Sequence, residues 1–324
     1  MASERPAELR ARGRSLPLGA RTYVMAILNL TTDSFSGDGT GTDIDAAVRH
    51  AVAAAEDGAD IIDVGAESAR ADVPVRDAGE EAAFVARVID RIAHEVDVLI
   101  SADTYKGPVA EAALQAGAHI INDIGGFMYG TDTAEVAANH GATLVINYTY
   151  ERPKIRPSAP PQYDDVVEAH LAFLRDRVAT AERAGVAADS IVIDPGIAFG
   201  KSHDEDLEVL RRLQEFGALG KPVLVAASRK HFIGSVLGLP PDERDAATLA
   251  VTALAIAAGA DIVRVHDVRA NVQAARIADA IVRAHRGDYA ASPESWPWWS
   301  EAQPIAGTTI RSQVSGRTPR GSEE

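Results

Sequence analysis

The sequence predicts an α/β protein, a (β/α)8 barrel with its site at the C-terminal face of the strands, and three observations predict it. Short apolar runs alternate with longer, alanine-rich amphipathic segments from about residue 23 to residue 286, the alternation of strand and crossover helix. Nearly every apolar run ends in a residue that can hydrogen-bond or carry charge, as a barrel with its chemistry at one face requires. Helical segments close on glycine, as in Ala116-Gly117-Ala118 and Ala258-Gly259-Ala260, where the left-handed conformation that ends a helix is expected. A doubly wound open sheet is the competing arrangement, and the polar ends on nearly every strand weigh against it.

The strand candidates, in order, are Tyr23–Asn29, Ile61–Gly65, Leu99–Asp103, Ile120–Asp123, Thr143–Asn147, Ile191–Asp194, Val223–Ala226 and Ile262–His266. Each is a short run rich in apolar and β-branched residues, suited to a strand covered on both faces. Between them, Asp43–Asp57, Glu80–Glu95, Asp165–Ala184, Asp204–Phe216 and Ala246–Ala258 read as helices. Gly58, Gly117, Gly141, Gly185 and Gly259 each follow a helical segment. Residues 21–287 make the barrel, 1–20 an N-terminal arm, and 288–324 a polar tail that holds Trp296, Trp298 and Trp299. These aromatics are expected to pack back on the barrel or to dock a partner, and 305–324 to be disordered.

At 324 residues and 46% apolar composition the chain can bury a substantial core. A net charge of −15 argues against a nucleic-acid partner, so any phosphate site must be a local basic pocket. Cysteine is absent, which excludes disulfides, thiolate metal sites and a cysteine nucleophile. No apolar run approaches the ~20 residues a membrane span needs, and Met1 to Ala20 has no continuous apolar segment of a signal peptide. A cytoplasmic protein with small-molecule substrates is expected.

If the strands close, their ends share one mouth. Asp103, Asn122 and Asp194 offer acceptors on short side chains near the axis, suited to a flat heterocycle with amide and amino-pyrimidine edges. Lys230 can donate to that ring. Arg264 and His266 stand two apart on the last strand and so share a face. With Asn29 and Arg70 they suit phosphate, and Asn29 is also a candidate oxygen ligand for Mg²⁺. A lone Asp at a strand end is more often a helix cap and a lone His a core residue. Seven such residues on different strands make coincidence hard to sustain.

At these positions the chain resembles the dihydropteroate synthases, the pterin-binding TIM-barrel family. The resemblance is carried by MAILNLTTDSFS (25–36), DVGAESAR (63–70), SADT (101–104), INDI (121–124), DPGIAFGK (194–201), SRKHFIG (228–234) and RVHDV (264–268). It covers the barrel and leaves out both termini. It implies a transferase of folate synthesis that condenses 7,8-dihydropterin-6-ylmethyl diphosphate with p-aminobenzoate, releases pyrophosphate, uses Mg²⁺ and forms a homodimer. It also implies pterin at Asp103, Asn122, Asp194 and Lys230, and diphosphate with metal at Asn29, Arg70, Arg264 and His266. The arylamine falls to Ser228, with Phe199 and Lys201 lining the channel between the substrates.

Several positions depart from the family's pattern. Thr32 stands where the first loop has proline, and that loop ends Ser36-Gly37-Asp38-Gly39. The second loop reads Ala66-Glu67-Ser68-Ala69-Arg70-Ala71. Asn147-Tyr148-Thr149 replace methionine–histidine–methionine, and Ala198 and Ala226 replace glycines. These changes gather in the loops and at the end of the fifth strand, which shape the arylamine side and the pocket floor. They leave open a paralogue that uses another amine or lacks condensation. A corrinoid-dependent methyltetrahydrofolate methyltransferase, with a similar barrel and pterin site, is a further alternative.

Overall fold

The computed structural model describes residues 5–31, 39–67, 73–152, 155 and 161–283. The expectations for Arg70, for Thr32 and Ser36-Gly37-Asp38, and for the tail with Trp296, Trp298 and Trp299 lie outside the described residues.

A hairpin comes first, where the sequence suggests only an arm. Strands β1 (Glu8–Ala11) and β2 (Arg14–Pro17) pair antiparallel. Arg12 and Gly13 turn between them with φ of 48° and 79°, the two left-handed residues that a two-residue hairpin turn requires. The Arg12 guanidinium donates to the carbonyls of Leu114 and Ala118, each at 2.6 Å, and so ties the hairpin to a helix end.

Eight parallel strands follow: β3 (Tyr23–Asn29), β4 (Ile61–Gly65), β5 (Leu99–Asp103), β6 (Ile120–Asp123), β7 (Thr143–Asn147), β8 (Ile191–Asp194), β9 (Leu224–Val225) and β10 (Ile262–Val265). They run β8-β7-β6-β5-β4-β3-β10-β9, and a bridge between Ile193 and Val223 closes the ring. Six strands have the expected bounds. β9 is shorter at both ends, and β10 stops one residue early because the His266 N–H donates to Ser228 Oγ at 3.2 Å.

Helices fill the crossovers: α1 (Ile44–Glu56), α2 (Ala78–Glu95), α3 (Gly107–Gln115), α4 (Asp132–His140), α5 (Val166–Arg183), α6 (His203–Arg211), α7 (His231–Leu237), α8 (Asp245–Ala257) and α9 (Val268–Val282). Asp43, Asp77, Asp165, Ser202 and Asp267 cap their N-termini by accepting backbone N–H bonds. The five glycines expected to end helices all have positive φ. The helix expected over Asp204–Phe216 instead splits, and a 3-10 stretch covers Leu213–Leu219. The tighter turn eclipses residues three apart, which sends both Leu213 and Phe216 into the core. Among the described residues no helix is long and apolar enough to cross a membrane.

Inside the barrel the two-residue period separates packing from chemistry. The lowest inward positions are apolar: Met25, Ile61, Leu99, Ile120, Val145, Val192, Leu224 and Ile262 cluster with Leu9 and Ala11 of the hairpin. One pleat higher, at Asp63, Asn122, Asn147, Asp194 and Arg264, the same face turns polar. The hairpin thus plugs the bottom, and the mouth carries the charge. Leu9→Ala should destabilise the protein by about 2–5 kcal/mol in urea unfolding; an unchanged midpoint would show that the plug contributes nothing.

Candidate active site

Asn29, Thr31, Glu67, Asp103, Asn122, Asn147, Asp194, Phe199, Ser228, Lys230, Arg264 and His266 line one cavity at the C-terminal ends of the strands, with Ile27, Ile124 and Ala226 as its apolar patches. Nine of the residues picked from the sequence therefore meet in one place. Strand register accounts for much of it. Asn29 pairs with Gly65, Gly65 with Asp103, Asp103 with Asn122, and Asn147 with Asp194. Gly65 has no side chain to intervene: a Cβ there would lie 3.3 Å from that of Asp103.

The floor is organised by Asp63, a strand residue for which the sequence suggested no role. Its side chain is fully buried, and Oδ2 accepts from Asn122 Nδ2 at 2.9 Å and from Arg264 Nε at 2.6 Å. Arg264 continues through Nη2 to Asp103 Oδ2 at 2.8 Å. Arg264 is therefore not a freestanding anion clamp. It bridges two carboxylates, with the remaining guanidinium nitrogen, Nη1, left to the cavity. Asn122 donates one amide hydrogen to Asp63 and keeps its carbonyl oxygen as an acceptor. The period of two from Ile61 was the available signal for Asp63.

Burial pushes Asp103 up to about 7, opposed by Arg264 and reinforced by Asp63. Burial likewise lifts Asp194 to about 6, against the Gly196 N–H that donates to it at 2.7 Å. Carboxyls raised this far are poised to meet N–H donors of a bound ring.

On the rim, Lys230 donates to the Ile197 carbonyl at 3.1 Å and its ammonium lies 4.7 Å from the Phe199 ring centroid. Burial lowers it to about 8. Arg229 before it holds a left-handed φ of 57° and is pinned by Asp245 at 2.7 and 2.8 Å, while Arg244 donates to the Arg229 carbonyl at 2.9 Å. The Ser228 hydroxyl lies 2.8 Å from His266 Nδ1 and also accepts the His266 backbone N–H. Where the hydroxyl donates to Nδ1, the imidazole carries its proton on Nε2. Ser228 thus orients His266 as well as lining the cavity.

Two further groups line the cavity at positions for which the sequence suggested no role. Glu67 accepts from Lys106 Nζ at 2.7 Å, from the Arg76 N–H at 2.8 Å and from the Tyr105 hydroxyl. Burial alone would raise Glu67, but these bonds hold it below the usual carboxylate range. Asn147 donates its amide to the carbonyls of Ile124 and Tyr148 at 3.1 and 2.8 Å. One expected lining residue is placed elsewhere. Lys201 is absent from the cavity wall, with a fully buried side chain 3.9 Å from Asp206 and a bond to the Gly196 carbonyl. Its ammonium folds back beneath its own loop.

A parallel barrel whose mouth gathers carboxylates, a bridging guanidinium, an ammonium and an imidazole defines an enzyme for a polar heterocyclic substrate. Residues 25–266 match the family described as pterin binding enzyme, and the chain belongs to that family. The Bacillus subtilis dihydropteroate synthase is 44% identical over 262 residues, 81% of this chain and 89% of its own length. The Xanthomonas albilineans dihydropteroate synthase with 4-aminobenzoic acid superposes with a TM-score of 0.78 at 38% identity, covering 86% of this chain and 99% of that one. The Yersinia pestis enzyme with a sulfonamide drug complex gives a TM-score of 0.79 at 36% identity, over 85% and 98%.

Pterin affinity should rise with pH, because the protonated Asp194 and Asp103 carboxyls lose acceptor capacity below about 6 and about 7. Titration calorimetry should show the Kd fall roughly tenfold between pH 5 and 7.5, and Asp194→Asn should flatten the lower limb. A level wild-type profile would contradict these assignments.

Proposed function

We propose that the protein is a dihydropteroate synthase, joining 7,8-dihydropterin-6-ylmethyl diphosphate to p-aminobenzoate and releasing pyrophosphate. The observation that carries this is the Asp63–Arg264–Asp103 chain at the barrel floor, with the Asn122 and Asp194 acceptors facing the same cavity. A methyltetrahydrofolate–corrinoid methyltransferase has no use for the Arg264 Nη1 and the His266 imidazole as donors to a diphosphate.

The chemistry follows from charge placement. Asp103, Asn122 and Asp194 accept the N–H edge of the pterin, and Lys230 donates to its carbonyl or ring nitrogen. The bond from the exocyclic methylene to the diphosphate oxygen breaks, and that electron pair leaves with pyrophosphate. The Arg264 guanidinium and the His266 imidazole meet the growing negative charge, while the two aspartates steady the electron-poor pterin. The arylamine nitrogen, neutral at pH 7, attacks the methylene carbon and then loses a proton, so positioning supplies much of the acceleration. Phe199 offers an apolar wall for the aryl ring beside Lys230.

Mg²⁺ belongs to this reading. No group of three histidine or acidic side chains among the described residues could hold a metal by itself. The Asn29 carboxamide at the end of β3 is a hard oxygen donor in the mouth, and Mg²⁺ commonly takes one or two protein oxygens with substrate phosphates and water. Held at Asn29, the ion would neutralise charge on the diphosphate. A homodimer is supported by the exposed apolar side chains Leu254 on α8 and Ile277 and Ile281 on the adjoining α9.

With Mg²⁺ and both substrates, the purified protein should release pyrophosphate and form dihydropteroate, and a sulfonamide should compete with p-aminobenzoate. Arg264→Ala should lower kcat by roughly 10²–10³. Pterin binding without product would reject the synthase and favour a paralogue that lacks condensation.

A further inference from the structure

The loop between β8 and α6 carries Phe199 on the cavity side and conceals a lysine on the other. Three of its residues are left-handed: Gly196 at φ +68°, Ala198 at +68° and Gly200 at +73°. Glycine is required at two of them by close approach. A Cβ on Gly196 would lie 2.0 Å from the Tyr148 carbonyl oxygen, and one on Gly200 2.3 Å from the Tyr150 Cβ. Ala198, by contrast, brings a side chain into a conformation that strains it, so other contacts must hold it there.

Those contacts come from beneath. The Ala198 N–H donates to Asp206 Oδ1 at 2.7 Å. Lys201 Nζ lies 3.9 Å from the same oxygen and donates to the Gly196 carbonyl, which also accepts the Phe199 N–H at 3.0 Å. The Lys201 side chain is wholly buried and that of Asp206 nearly so. The face of the Tyr148 ring, 5.0 Å away, completes the ammonium's surroundings. One peptide further on, the Ile197 carbonyl receives Lys230 from the cavity side. Two lysines therefore hold neighbouring carbonyls of one loop from opposite sides, and only Lys230 reaches the cavity.

We propose that Lys201, paired with Asp206, is a positioning residue for the amine substrate, fixing the loop so that Phe199 forms one wall of the aryl slot. This rests on the synthase reading above. Lys201 touches neither substrate. It acts by closing the Gly196–Phe199 turn from below, so its removal loosens the Phe199 wall, while Asp194 stays fixed by the pairing of β8 with β7 and the pterin acceptors on β5 and β6 stay where they are.

The test is a kinetic split with a double-variant control. In Lys201→Met the KM for p-aminobenzoate should rise about tenfold or more, with sulfonamide inhibition weakened in parallel. The Kd of the pterin diphosphate should stay within about twofold. If the wall is the route, Lys201→Met added to Phe199→Ala should raise the amine KM no further. Should Lys201→Met fail to fold, Lys201→Ala, which also removes the bond to the Gly196 carbonyl, is read the same way. Equal losses for both substrates, no loss at all, or additive effects with Phe199→Ala would overturn the positioning role. A wild-type protein that forms no product would instead overturn the functional reading beneath it.

Discussion

A carboxylate sealed inside a β-barrel must be matched, and the matching of Asp63 arranges the rest of the mouth. Its buried Oδ2 takes Asn122 on one side and Arg264 on the other, and Arg264 extends the chain to Asp103. Taking such charges out of water costs several kcal/mol per ion, offset only when geometry and hydrogen bonding are good. The network is therefore poor evidence for stability and good evidence for pre-organisation. With Asp63 in place, the Asn122 carbonyl, the Arg264 fork and the Asp103 carboxylate each have one orientation before a ligand arrives, which is what electrostatic catalysis requires.

The same strands that position these groups also insulate them. Every barrel strand puts apolar side chains on the outward face toward the helices and at the lowest inward level. Polar side chains gather at the upper inward positions, apart from Asp123 on the outward face of β6 and Thr143 at the foot of β7. Packing is thus concentrated below and outside, chemistry above, and the Leu9 hairpin closes the apolar end.

Much of this was legible in the sequence because the barrel strands are buried on both faces and read as short apolar runs. Tyr23–Asn29 through Ile191–Asp194 have the bounds their composition marks. The polar strand ends Asp103, Asn122, Asp194 and Arg264 could be grouped once closure was assumed. What was not legible depended on side-chain direction. Arg264 and His266 share a strand face, but nothing local reveals that Arg264 turns inward to Asp63. Lys201 follows Phe199 by two residues, yet left-handed backbone at Ala198 and Gly200 sends it under the loop. The Glu8–Pro17 hairpin has too few apolar positions for a visible alternation, although Arg12-Gly13 was a readable turn. Asp63 could have been found, since it stands two residues above the inward Ile61.

The central claim is that Asp63 organises the pterin site from outside the cavity. Asp63→Asn keeps the shape and an oxygen for Asn122 and Arg264, but it removes the negative charge that holds the guanidinium and buries an amide NH2 group where Oδ1 has no partner. With folding verified by circular dichroism, calorimetric pterin affinity should fall about 10- to 100-fold. Affinity within about twofold of wild type would contradict the account, because the mouth would then be set without the charge buried beneath it.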